Sequence, residues 1–146
     1  ENKTTYQGLL PALQESHFTT LIYGSGKKII KSIEQFSFQI PLPGTHEFFY
    51  FGDLDHEGIS IWYSLSKKIF PMKPALPFYT YCFNKPYVYG KQNQRPNEEA
   101  LNAFLPYLPE SHQIHLKDLL NDEGYYPQEI IKTKELQQIW RDASWK

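Results

Sequence analysis

Apolar positions along the chain recur at two spacings. Tyr6, Leu9, Leu10 and Leu13 follow a helical period over residues 5–16, with Pro11 as an interruption. Residues 17–24, HFTTLIYG, are an apolar run closed by Gly24 and predict a short buried strand. Ile29, Ile30, Ile33 and Phe36 then share one helical face within residues 25–36, and PLPG at 41–44 reads as a connector. EFFYFGD, residues 47–53, is apolar on both faces, as parallel strands tend to be. Ile61, Trp62 and Leu65 form the next helical stripe. Strand, helix, strand, helix with short links is the βαβ pattern, which predicts a parallel sheet covered by helices. PFYTYCF at 77–83 predicts a third strand, and the rest of 70–96 reads as a Pro-rich loop. Short helices are expected at 97–105 and 113–121. A last one is expected at 133–143, with Leu136, Ile139 and Trp140 facing inward.

At 146 residues the chain fits one domain, 1–146, with a sizeable core. Because it opens on Glu1 instead of Met, it is expected to be a piece of a longer protein, taken from the carboxyl-terminal end. Lys and Arg total 15 against 16 Asp and Glu, so any nucleic-acid binding must rest on a local patch and not on a global basic field. Cys82 is the only cysteine, which excludes an internal disulfide and a Cys-based zinc site. No apolar run approaches the roughly 18 residues of a membrane span, and no signal peptide is visible. The expected class is a cytoplasmic α/β domain without membrane contact.

The chemistry concentrates at 53–58. Asp53 falls at the carboxyl end of the 47–53 strand, where open parallel sheets place their ligand sites. Asp53 and Asp55 lie two residues apart, so in extended backbone they point to one side, roughly 6–7 Å apart at Cα. Two hard oxygen donors at that spacing suit Mg²⁺ or Mn²⁺, which takes few carboxylates and completes its shell with water and phosphate oxygens. Gly58 permits a tight turn into the next helix, and Glu57 sits near that helix's positive end. The plain alternative is a solvated acidic turn with a carboxylate capping the helix; the preceding strand and the glycines at 52 and 58 favour the metal. An EF-hand fails, because Ser64 stands where its twelfth-position Glu belongs. A haloacid-dehalogenase-type phosphatase also ends a strand with Asp-x-Asp, but Glu57 stands where Thr or Val is expected.

Taken together, these residues resemble a Toprim domain, the catalytic module of topoisomerases, primases and several nucleases. Glu1 in ENKTTYQGLL is similar to that family's first acid, and YFGDLDHEG to its later Asp-x-Asp. The Asp-x-Asp-x-x-Gly form from Asp53 to Gly58 resembles the type IIB topoisomerase A subunit. It is more similar still to the Toprim-like carboxyl-terminal domain of the Wadjet plasmid-defence nuclease subunit, JetD. YPQEII at 126–131 resembles a late Gln-Glu segment of that family. The resemblance implies a Toprim, Rossmann-like parallel β-sheet flanked by helices, and Mg²⁺- or Mn²⁺-dependent cleavage of a DNA phosphodiester. It implies that Asp53 and Asp55 hold the metal, and that Glu1 is a third ligand or the general acid/base. Water is then the nucleophile, and Glu57 and Glu129 are accessory at most. The implied partners are DNA and other subunits of an SMC-like defence complex. In Toprim domains a strand runs into the first acid. Here the chain starts at Glu1, so either such a strand lies upstream or Glu1 is an ordinary terminal residue, and the isolated piece is expected to be inactive. Two other classes stay open: a catalytically silent Toprim-like module that binds DNA or protein, and a haloacid-dehalogenase-like phosphohydrolase.

Other features change the picture less. GSGKK at 24–28 lacks P-loop spacing, but Lys27 and Lys28 at a helix start, together with His56, can touch a backbone phosphate. The alternative is a turn with solvated lysines. His112 and His115 have no third zinc ligand at a clear spacing. The Tyr and Phe cluster at 78–89 can stack on unpaired bases or form core. Lys67, Lys68, Lys73, Lys85, Lys91 and Arg95 mark the most basic region, read as a phosphate-facing surface.

Overall fold

The structure, a computed structural model, describes residues 1–41, 43–69 and 71–146. Leu42 of the 41–44 connector and Phe70 of the expected loop lie outside the described residues. Helix α1 (Lys3–Leu9) starts where the Asn2 side chain accepts the Thr5 N–H at 2.8 Å. Pro11 then tightens the chain into 3₁₀ turns over Leu10–Glu15. Further on, α2 (Ile29–Ser32) and α3 (Phe36–Gln39) are linked by 3₁₀ turns into one irregular helical stretch, with Ile29 and Ile33 buried.

The centre of the fold is a βαβ unit. Strand β1 (Phe48–Tyr50) leads through helix α4 (His56–Lys68) to strand β2 (Met72–Pro74), and the two strands pair in parallel with Phe48 opposite Met72 and Tyr50 opposite Pro74. Helix α4 buries Ile61, Trp62 and Leu65, as the stripe predicts, and Trp62 Nε1 donates to the Met72 carbonyl at 3.1 Å. Glu57 in its first turn and Lys67 and Lys68 in its last suit the helix dipole. Four helices follow: α5 (Leu76–Cys82), α6 (Glu98–Phe104), α7 (Glu110–Asn121) and α8 (Thr133–Asp142). Helix α6 packs on α4, while α8 packs on α1 and α5. Among the described residues the sheet has these two strands, so the architecture is a small parallel sheet flanked by helices. None of the helices is long and apolar enough to cross a membrane, again among the described residues.

Two expected strands are not strands. Residues 77–83 lie in α5, because Pro77 occupies the helix's first turn and Phe78, Tyr79 and Cys82 fall on one helical face that is buried. Tertiary burial outweighs the β preference of this aromatic run. The strand appears earlier, at Met72–Pro74, within the stretch that reads as loop. Residues 17–24 run without a ladder partner: Ile22 and Tyr23 are 39% and 43% exposed, too open for a buried strand. Phe18 to Ile22 of this run wall a cavity of about 520 Å³ beside β1, with Phe49, Trp140 and Trp145 on its other sides. The parallel βαβ unit is therefore present, but one step later in the chain than the pattern predicts.

Candidate functional site

Beyond β1 the chain stays extended to Leu54, which pairs antiparallel with Tyr126. That pairing brings residues 126–128 against the end of β1. Gln128, buried, donates its backbone N–H to Asp53 Oδ1 at 2.9 Å and its side-chain Nε2 to the Phe51 carbonyl at 3.0 Å, and its Oε1 accepts the Asn2 N–H at 3.1 Å. One side chain thus ties the start of α1, the end of β1 and the 126–128 segment together. The Glu1 nitrogen donates to the Phe51 carbonyl at 3.0 Å, and Glu1 Oε2 accepts the Asp53 N–H at 3.0 Å and the Tyr50 hydroxyl at 3.3 Å. Glu1 therefore meets the Asp53 backbone although 52 positions separate the two. Burial, and then the charge of Asp53, push the Glu1 carboxyl above the usual carboxylate range.

Asp55 is almost fully buried and uses its two oxygens differently. Oδ1 accepts the Gly58 N–H at 2.6 Å and caps α4. Oδ2 accepts the Lys91 ammonium at 2.7 Å and Gln94 Nε2 at 3.1 Å. Asp53 Oδ2 takes the same ammonium, so two carboxylates converge on one cation. Lys91 also lies 4.9 Å from the centre of the Tyr125 ring. Burial works against its charge, but hydrogen bonds and attraction from Asp53 and Asp55 outweigh that and raise its pKa above the usual lysine range. The sequence reading left Lys91 in a phosphate-facing surface; the structure places it between the two acids.

The glycines at 52 and 58 make this close packing sterically feasible. A Cβ on Gly58 would overlap the Asp53 carbonyl, and one on Gly52 would overlap the Tyr50 hydroxyl and the Glu1 carboxylate. The Gly52 N–H donates to the hydroxyl of buried Tyr79 at 3.0 Å, which assigns part of the aromatic cluster to the floor under the site.

The other expected residues lie around this group. Glu57 is exposed and pairs with Lys27 at 3.6 Å, outside the acid pair. Lys28 is exposed, and His56, in the first turn of α4, lines a cavity of about 610 Å³ with Asp55, Lys91 and Tyr125. Burial lowers the His56 pKa, partly offset by the charge of Asp55. Glu129 is exposed and accepts Asn2 Nδ2 at 2.7 Å, so within the Gln-Glu segment Gln128 is the residue that touches the acids. Several cations of the basic region are engaged within the chain: Lys68 with Glu34, Lys73 with Glu47, Lys85 with Glu135, and Lys67 over the Tyr63 ring. His112 stacks on Phe83 with ring centres 4.5 Å apart, and His115 meets the Tyr126 hydroxyl at 3.0 Å.

Among the described residues no three His, Cys, Asp or Glu side chains are grouped as a ready metal cage. The two Asp Oδ2 atoms nonetheless share one cationic centre, and hard carboxylate oxygens are the donors Mg²⁺ and Mn²⁺ take. The chemistry of these two donors suits such an ion, at the place that Lys91 Nζ takes.

A family model described as the Wadjet protein JetD, C-terminal, matches residues 1–139. The chain belongs to this JetD C-terminal family, of the Wadjet plasmid-defence system. Searches of curated proteins and of solved structures found no match. The JetD match takes in Glu1, Asp53, Asp55, Lys91 and Gln128, and it ends one residue before Trp140.

Proposed function

We propose that this domain is the catalytic part of a metal-dependent DNA nuclease acting with other subunits of a Wadjet defence complex, and that it is related to Toprim domains. The observation that carries the reading is the convergence of Asp53 and Asp55 on a single cation at the carboxyl end of a parallel strand. Asp53, Asp55 and, less directly, Glu1 are the residues that would hold Mg²⁺ or Mn²⁺. The ion supplies Lewis-acid polarisation of the scissile phosphate. The chain's own residues do the rest. Gln128 and Glu1 fix the Asp53 backbone and one of its carboxylate oxygens, and Asp55 is fixed by the α4 cap. Glu1, whose carboxyl keeps its proton to higher pH than usual, is placed to hold or release a proton at the site.

The test is plasmid cleavage by the protein with its partner subunits in Mg²⁺ or Mn²⁺. Asp53→Asn and Asp55→Asn are expected to lower cleavage at least about a hundredfold. Asn keeps the size of the side chain and, at 55, the ability to cap α4. Undiminished cleavage by both variants would sink the assignment. A second reading, a silent DNA- or protein-binding module, draws on the same Lys91: an acid pair already neutralised by an internal lysine is also what a purely structural ion pair looks like. It predicts DNA or partner binding with no dependence on divalent ions.

A further inference from the structure

Lys91 stands where the proposed ion belongs, and its attachments differ on the two sides. Its ammonium is held by Asp53, by Asp55 at 2.7 Å and by the Tyr125 ring face. Its backbone belongs to a coil segment tied down just before it, where Val88 and Tyr125 pair through N–H···O bonds of 3.0 and 2.9 Å. Between that tie and the lysine stand Tyr89 and Gly90, and Gly90 has φ 134°, a conformation open mainly to glycine. The lysine side chain is one-third exposed, so water and ions reach it. The 610 Å³ cavity that Lys91 lines gives the displaced chain somewhere to go.

Charge favours exchange. The two carboxylates carry two negative charges, and one ammonium cancels half of them. A divalent ion cancels both and binds carboxylate oxygen directly, whereas the ammonium offers only hydrogen bonds. Asp55 keeps its cap to Gly58 in either case, because Oδ1, not Oδ2, makes that bond. Gln94, which donates to the same Oδ2 from three residues further along, travels on the same segment as Lys91.

We infer that Lys91 is a place-holder cation: it occupies the Asp53–Asp55 pair in the metal-free protein and is displaced into the adjoining cavity when a divalent ion binds. This rests on the reading of Asp53 and Asp55 as metal ligands and adds an internal competitor to it. Metal binding and the seating of the 88–94 segment are then linked, so each weakens the other by the same factor.

The test measures Mn²⁺ binding by electron paramagnetic resonance, with no DNA present, on the protein and on Lys91→Met, Asp53→Asn and Lys91→Met/Asp53→Asn. Removing the competitor is expected to tighten Mn²⁺ binding at least about tenfold, the size of one charge-assisted hydrogen bond. The double variant is expected to lose that gain. A second measurement needs no substitution: the Lys91 ammonium signal in nitrogen-15 NMR, slow to exchange while paired, is expected to disappear from its paired position as Mg²⁺ is added. If Lys91→Met binds Mn²⁺ no more tightly, and Mg²⁺ leaves the ammonium signal unmoved while Asp53→Asn still abolishes binding, the place-holder idea is overturned and the metal site stands. If neither the protein nor Lys91→Met binds Mn²⁺, the metal site falls and the place-holder with it.

Discussion

Asp55 shows how much one side chain can be asked to do. Its Oδ1 begins α4 and its Oδ2 faces the Lys91 ammonium, so charge and helix start share one carboxyl group. Gly58 completes this arrangement, and its Cα hydrogen faces the Asp53 carbonyl at a distance no methyl group tolerates. Gly58→Ala is therefore expected to cost about 1–3 kcal/mol by forcing Asp53 and α4 apart. Urea unfolding measures it, and a cost near zero would mean the turn relaxes freely. Cys82 offers a separate check at this scale. Burial pushes its thiol up to about 12, so a thiol reagent at neutral pH is expected to spare the native protein and label it only after denaturation. Asp53, Asp55 and their glycines were legible in the sequence because they are contiguous. Lys91 and Gln128 were not, since spacing along a chain says nothing about which distant lysine returns to an acid pair. The sequence carries a weak signal for each: three acids within five residues call for a positive neighbour unless they point into water, and YPQEII at 126–131 resembles a Gln-Glu segment of the family.

At the scale of elements, the helical stripes read well where each presents one buried face, as in α4 and α8. The expected strand at 77–83 is a helix because Pro77 in the first turn and a buried face of Phe78, Tyr79 and Cys82 outweigh the β preference of the aromatics. Strand β2 was hidden because Met-Lys-Pro has little β character, and β1 across from it supplies the pairing. The segment before Lys91 is an element of another kind, held by the Val88–Tyr125 pair and by Tyr87 and Tyr89, whose hydroxyls both donate to Asp122. Hydrogen bonds from Tyr89 and then Tyr87 hold the Asp122 carboxyl below its usual range. A depressed carboxyl adds stability above the ordinary Asp range and loses it as pH falls through its own lowered value. NMR titration is expected to show Asp122 protonating at lower pH than an ordinary Asp, and Tyr87→Phe/Tyr89→Phe to restore the ordinary value. An Asp122 titration untouched by the double change would rule out this anchor.

Across the whole molecule, the aromatic end of α8 closes the fold onto its beginning. Phe18 stacks on Trp140 at 5.6 Å and meets Trp145 edge-on at 5.0 Å, while Trp145 also packs on Phe49 and Phe78. Trp140, 3% exposed, is expected to cost about 3–5 kcal/mol when changed to Ala. Thermal unfolding followed by circular dichroism reads this, and a loss well under 1 kcal/mol would show that the last turns are dispensable.

The bonds of Gln128 carry a consequence for how the protein comes into being. They join it to Asn2, 126 positions away, and to Asp53, 75 positions away. Contacts so distant in sequence form late, because the chain must close long loops before they repay it. During synthesis the acids at 53 and 55 leave the ribosome long before their Gln128 partner does. A half-made chain therefore carries the acids without the bonds that fix them, and the site takes shape only when the last third of the chain has folded back.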